Sequence, residues 1–197
     1  HRDQMIDLID ALKEYFRDDP KVYVTGNIFV YFRDESGEIQ PVSPDVFVVR
    51  GIEKKDRRIY HLEKEGRAPD MVIEVTSKST KMENLGNKRF IYAYLGVKEY
   101  FLFDPLSETL RPALRGYRLK NGDYAPMMGT PLKSEVLELE LRVENGKLRL
   151  HDPKTGERLL THAEAQAARR AATAKAMSLE AENVLLRKEL ARLQKQK

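Results

Sequence analysis

Two Pro-Asp steps, Pro44-Asp45 and Pro69-Asp70, stand at the entrances of apolar, β-branched runs, and the second is followed four residues later by Glu74. Side chains alternate along an extended chain. Asp70, Val72, Glu74 and Thr76 therefore share one face of DMVIEVTS, while Met71, Ile73 and Val75 share the other. Glu74 sits among apolar residues, where an unpaired carboxylate costs several kcal/mol and is normally matched by a cation, a metal or a donor. Four residues of extended chain separate two α-carbons by roughly 13 Å, so Asp70 and Glu74 are poorly placed to share one ion. Asp45, at the entrance of the preceding apolar run, comes beside Glu74 if the two strands pair as consecutive strands usually do. Two carboxylates, completed by water and phosphate oxygens, suit Mg²⁺, with Mn²⁺ as an alternative. The chemistry this suggests is phosphodiester hydrolysis. A metal would polarise the phosphate and acidify a water, while a nearby lysine would stabilise transition-state charge or position the nucleophile.

Other chemistries find little support. His1, His61, His151 and His162 form no i, i+4 pair and no HExxH pattern, so a surface role is expected for each. There is no GxGxxG after a strand, no Walker loop and no nucleophile elbow. The absence of cysteine excludes disulfides, thiolate zinc sites and cysteine nucleophiles, and no run approaches the ~18 apolar residues of a membrane span. Because the sequence opens at His1 rather than methionine, a cytoplasmic location is an expectation drawn from these absences alone. The net charge of +4 is misleading as a nucleic-acid signal: residues 163–197 hold 8 Lys/Arg and 4 Asp/Glu, which leaves the first 162 residues neutral. Only a local cluster, Lys54, Lys55, Arg57 and Arg58, is a candidate for phosphate contacts. It lies in the charged stretch Gly51 to Pro69, which reads as a solvated loop with room for a helical turn.

The elements that must position these groups follow from periodicity. Met5, Ile6, Leu8, Ile9, Leu12, Tyr15 and Phe16 form the apolar stripe of a helix that ends at Asp18-Asp19-Pro20. Val22 to Phe32 reads as one strand and Asp45 to Val49 as another. After DMVIEVTS, a helical rhythm over Glu83–Leu95 stops at Gly96, and Tyr100 to Phe103 is a buried strand closed by Asp104-Pro105. Further strands are expected around Tyr117–Leu119, Val136–Val143 and Leu148–Leu150, with turns at Asn121-Gly122 and Asn145-Gly146. This order is α/β. With 197 residues and 41% apolar content, one core is expected over residues 1–160, with an appendage over 161–197. The appendage has no glycine or proline and reads as one long helix. Leu179, Leu186 and Leu193 recur at seven-residue spacing as d positions, with Ala176, Asn183 and Leu190 at a. Glu182 would face Arg187 of a second copy, and Lys175 would face Glu180. The expected assembly is a parallel two-stranded coiled coil and hence a homodimer, with an exposed helix packing on its own body as the other possibility.

PDMVIEVTSKST, with Lys88, Tyr92-Ala93, Gly96-Val97, Glu99-Tyr100-Phe101 and Asp104-Pro105, resembles the Uma-type restriction endonuclease family, long catalogued as a domain of unknown function. Pro44-Asp45-Val46 before it, and Ser134, Leu137-Glu138-Leu139 and Leu148-Arg149-Leu150 after it, extend the resemblance over roughly residues 5–160. That family is assigned to the PD-(D/E)XK nuclease superfamily. The resemblance implies a restriction-endonuclease-like central mixed sheet flanked by helices and Mg²⁺-dependent cleavage of DNA. Asp45 would be the PD aspartate and Glu74 the next acidic residue, both as metal ligands. Thr76 stands where the superfamily carries its lysine; Lys88 on the following helix could bring an amine back, with Lys78 as an alternative. Asp70 also fits the family pattern, and Glu14 could be the extra acidic residue that some relatives supply. Two functions follow: a metal-dependent DNA endonuclease with a displaced lysine, or a degenerate nuclease fold acting as a dimeric nucleic-acid-binding or assembly module.

Overall fold

A computed structural model describes residues 1–77 and 84–194. The chain divides into two compact units, His1–Leu159 and Leu160–Lys197. The first is built on a six-stranded sheet of order β1-β4-β6-β7-β8-β9: Val22–Thr25, Val46–Arg50, Met71–Val75, Glu99–Phe103, Leu114–Lys120 and Asp123–Pro126. Only β6 and β7 run parallel; every other neighbouring pair is antiparallel, so the sheet is mixed. The two central strands, MVIEV and EYFLF, are buried at every position. That is why they read as near-continuous apolar runs, and why the two glutamates they carry stand out.

One face of this sheet receives Met5, Leu8 and Leu12 of α1 (Arg2–Tyr15) and Phe16 at its C-cap, together with a three-stranded sheet of β10 (Leu132–Ser134), β11 (Leu139–Glu144) and β12 (Lys147–His151). The other face carries an aromatic core of Tyr23, Phe47, Tyr60, Tyr92, Tyr100 and Tyr124. It is covered by the sheet β3-β2-β5 (Ile39–Val42, Val30–Arg33, Tyr60–His61) and by α3 (Arg89–Tyr94). Helices thus flank a central mixed sheet, and two small sheets share the flanking layers. The hairpins β8–β9 and β11–β12 turn at Asn121-Gly122 and Asn145-Gly146. All four of these residues have positive φ, as two-residue turns of the primed type require.

Several expectations are corrected. Val22–Phe32 is two strands in different sheets, because the chain turns at Gly26-Asn27. A Cβ on Gly26 would lie 1.8 Å from the Asp45 carbonyl oxygen, so only glycine allows this approach. Residues 51–69 contain a helical turn, α2 (Leu62–Glu65), as expected, and in addition the short strand β5. Val136–Val143 starts as a strand only at Leu139, after a turn with Glu138 at φ 58°. The helix expected over Glu83–Leu95 is described from Asn84, as a π-helical turn, Asn84–Lys88, running into α3.

The second unit holds α4, His162–Gln194. Its start is a reciprocal cap: the Thr161 hydroxyl accepts from the Glu164 N–H at 3.3 Å, and the Glu164 carboxylate accepts from the Thr161 N–H at 2.9 Å. Leu179, Leu186, Leu190 and Leu193 are all exposed.

Candidate active site

The site is set by register. β4 and β6 are antiparallel neighbours with Val46 opposite Ile73, which brings Asp45, one residue before β4, beside Glu74 and Val75. The Val75 N–H donates to Asp45 Oδ2 at 2.8 Å and fixes that carboxylate at the end of the ladder. On the other side of Asp45, the Asn27 N–H donates to the Pro44 carbonyl at 2.8 Å, and Gly26 packs on the Asp45 backbone. The Pro-Asp step is therefore held from both flanks.

Glu74 is 1% exposed and turned toward the aromatic layer. Lys88 Nζ donates to both of its oxygens, at 3.0 and 3.1 Å, and to the Ser43 carbonyl at 2.9 Å; Tyr92 Oη donates to Oε1 at 2.5 Å. The π-helical turn puts Lys88 at its last position and Tyr92 in the next helical turn, so both reach back onto one carboxylate. Such turns widen the helix and often mark functional positions. Burial pushes the Glu74 carboxyl up to about 8; Lys88 opposes that rise and Asp45 adds to it. Asp45 is raised as well, chiefly by burial, against the Val75 N–H and Lys88. Tyr92 is raised well above the usual tyrosine range by burial and by Glu74. Two acidic groups forced together beside one amine resist ionisation unless more positive charge arrives.

His1, expected to be a bland surface residue, is instead at this site. Its Nε2 is hydrogen-bonded to the Val75 carbonyl and lies 3.6 Å from Asp45 Oδ2. No spacing rule in the sequence signals this, because the contact joins the start of α1 to the end of a strand 74 residues away. The role of Tyr92 was equally hidden, although Tyr92-Ala93 belongs to the family pattern.

Other candidates are placed elsewhere. Asp70, at the far end of β6, accepts from the Arg50 N–H at 2.7 Å and from Lys98 Nζ at 2.7 Å, which makes it an anchor between strands. Glu14 is an exposed partner of Arg17 near the other end of α1. Lys78 lies outside the described residues. Within the basic cluster, Arg57 is 4% exposed, forked onto Glu65 and stacked over Tyr23, so it is a structural cation. Lys54 donates to the carbonyls of Phe16 and Arg17 and closes the C-terminus of α1. Lys55, 3.6 Å from Glu53, and Arg58 are exposed. Among the described residues, no group of three or more His, Asp or Glu side chains is arranged around a common ion position.

Residues 1–148 match the model of the Uma2 family, described as "Putative restriction endonuclease". The chain belongs to the Uma2 family. A crystal structure of "a putative nuclease belonging to DUF820" from Anabaena variabilis is similar in fold, with a TM-score of 0.53 at 15% identity over 73% of this chain and 77% of that one. No curated protein matches the sequence. The fold of this Uma2 member is thus restriction-endonuclease-like, with a central mixed sheet and flanking helices. Among the described residues no helix is long and apolar enough to cross a membrane. The donors at the site, two carboxylates and the Val75 carbonyl, fit a hard divalent cation of the kind restriction-endonuclease-like nucleases use. Such ions take one or two carboxylates and keep several waters, so a full cage of side chains is not required.

Proposed function

We propose that this protein is a metal-dependent endonuclease that hydrolyses phosphodiester bonds in DNA, with Asp45 and Glu74 as the ligands of Mg²⁺ or Mn²⁺ and Lys88 as a displaced catalytic lysine. One observation carries the reading: Asp45 and Glu74 lie side by side across the β4–β6 ladder, with the Lys88 amine on both Glu74 oxygens. When bound, the cation supplies polarisation of the scissile phosphate and a more acidic water. Asp45, held by the Val75 N–H, and Glu74, held by Tyr92, present their oxygens in fixed positions, so little reorganisation is needed at the moment of reaction. The Lys88 amine, 13% exposed and held on the Ser43 carbonyl and both Glu74 oxygens, places a fixed positive charge beside the carboxylates, where it would offset the charge that develops on the phosphate. Thr76 leaves the usual lysine position without a cation, and Lys88 reaches the same carboxylate from the following helix.

The second unit supplies a partner in this reading. Two copies joined through α4, with Asn183 paired across the seam, would bring two sites to two DNA strands. Lys55 and Arg58 would contribute phosphate contacts, and the working location would be the cytoplasm. Thr76 also favours a second reading, in which turnover has been lost and the fold binds nucleic acid as an assembly module. Incubation with supercoiled plasmid separates the two. Nicking in Mg²⁺ or Mn²⁺ that stops with chelator supports the enzyme; retention of DNA without cleavage in any metal supports the module.

A further inference from the structure

His1 stands outside the Asp45, Glu74 and Lys88 group, yet its imidazole lies beside one oxygen of that group, Asp45 Oδ2. Nε2 is hydrogen-bonded to the Val75 carbonyl and is 3.6 Å from Asp45 Oδ2, the atom that also accepts the Val75 N–H. One ring nitrogen thus meets an anionic oxygen and a carbonyl oxygen that converge from the Pro-Asp step and the end of β6. The bond to the Val75 carbonyl needs a proton on Nε2; with that proton on Nδ1 and a small turn of the ring, the same nitrogen would face, with a lone pair, a cation held by these two oxygens. The side chain is 43% exposed, so the ring can turn without disturbing the core.

We propose that His1 Nε2, once its ring turns from the Val75 carbonyl, is a nitrogen ligand of the cation bound by Asp45, Glu74 and that carbonyl, so that the site selects Mn²⁺ or Co²⁺ over Mg²⁺. This rests on the metal-dependent reading above and specifies its metal. With its proton on Nδ1, the imidazole presents a lone pair from Nε2. Mg²⁺ favours all-oxygen surroundings and dehydrates reluctantly, whereas imidazole raises affinity for first-row transition ions. Asp45, Glu74 and the Val75 carbonyl supply binding common to all these ions, and His1 supplies the difference between them.

Calorimetric titration of the full chain with Mn²⁺ and with Mg²⁺, and the visible spectrum of added Co²⁺, test this in wild type, His1→Ala, His1→Gln and Asp45→Ala. The expected result is a loss of about tenfold or more in Mn²⁺ affinity for both His1 variants, less than about threefold for Mg²⁺, and an altered Co²⁺ spectrum. His1→Gln separates the roles, because its amide can still donate to the Val75 carbonyl but offers no imidazole lone pair. An unchanged Mn²⁺ to Mg²⁺ affinity ratio and Co²⁺ spectrum in both His1 variants, with binding still abolished by Asp45→Ala, overturns the His1 assignment and leaves the metal-dependent nuclease standing. Absence of binding by all three ions in the wild type overturns both.

Discussion

Glu74 is a carboxyl that the fold buries and the proposed chemistry needs ionised. Its proton is held up to about 8, first by burial and then by Asp45, with Lys88 pulling the other way. A group whose pKa is raised on folding binds its proton more tightly in the folded state. The stability it contributes is therefore present below its ordinary value of 4.5 and is lost as pH rises through about 8. In chelator, the wild type is expected to lose stability over that window relative to Glu74→Gln, which cannot ionise. Mg²⁺ or Mn²⁺ should raise the Tm of the wild type at about pH 8 much more than at about pH 5, and should leave Glu74→Gln nearly unmoved. Thermal melts across pH with and without metal check both statements; a metal response that is flat in pH would contradict them. Lys88 belongs to the same balance, since removing it leaves the buried Glu74 and the half-buried Asp45 without their amine.

At the scale of elements, Asp45 is placed by a strand pairing and by the absence of a side chain. Gly26 lies against the Asp45 carbonyl, where an added Cβ would come within 1.8 Å. Gly26→Ala is therefore expected to push the Pro44-Asp45 step away from β6, costing about 1–3 kcal/mol of stability and abolishing metal stabilisation. Denaturant melts with and without Mn²⁺ would show it, and an unchanged metal response would contradict it. The pairing itself was legible: alternation in DMVIEVTS put Glu74 and Val72 on one face, and the preceding strand brought Asp45 beside them. Lys88 was reached through the family pattern, and the structure adds how the π-helical turn carries its amine back. What periodicity could not show were contacts made through backbone atoms or across long separations. The Val75 carbonyl, the Ser43 carbonyl and the His1 ring belong to no pattern of side-chain types. The split of Val22–Phe32 was missed because both halves are equally rich in β-branched and aromatic residues. Lys54 and Arg57 carry the same charge as Lys55 and Arg58; what sets them apart is the Phe16 and Arg17 carbonyls bound by the exposed Lys54, and the burial of Arg57 against Glu65 and Tyr23.

At the scale of the molecule, the two units would serve two ends of one task. The α4 leucines are exposed within a single chain, at the spacing a second copy would cover. Sedimentation velocity is expected to report a dimer for the full chain and a monomer for Leu179→Glu/Leu186→Glu. A wild type that stays monomeric at high concentration would contradict the assembly. Because the first unit carries its own core, the variant should keep its fold and its metal response while losing paired cuts on opposite strands. The most direct measurement is single-turnover cleavage of supercoiled plasmid by wild type, Glu74→Gln and Lys88→Ala, each with Mg²⁺, Mn²⁺ and chelator. The predicted result is metal-dependent cleavage by the wild type, with each substitution slowing it by at least about 100-fold, the scale lost when one charge-stabilising group is removed from an active site. Equal rates in all three proteins, or cleavage that survives chelator, would contradict a catalytic centre built from Asp45, Glu74 and Lys88.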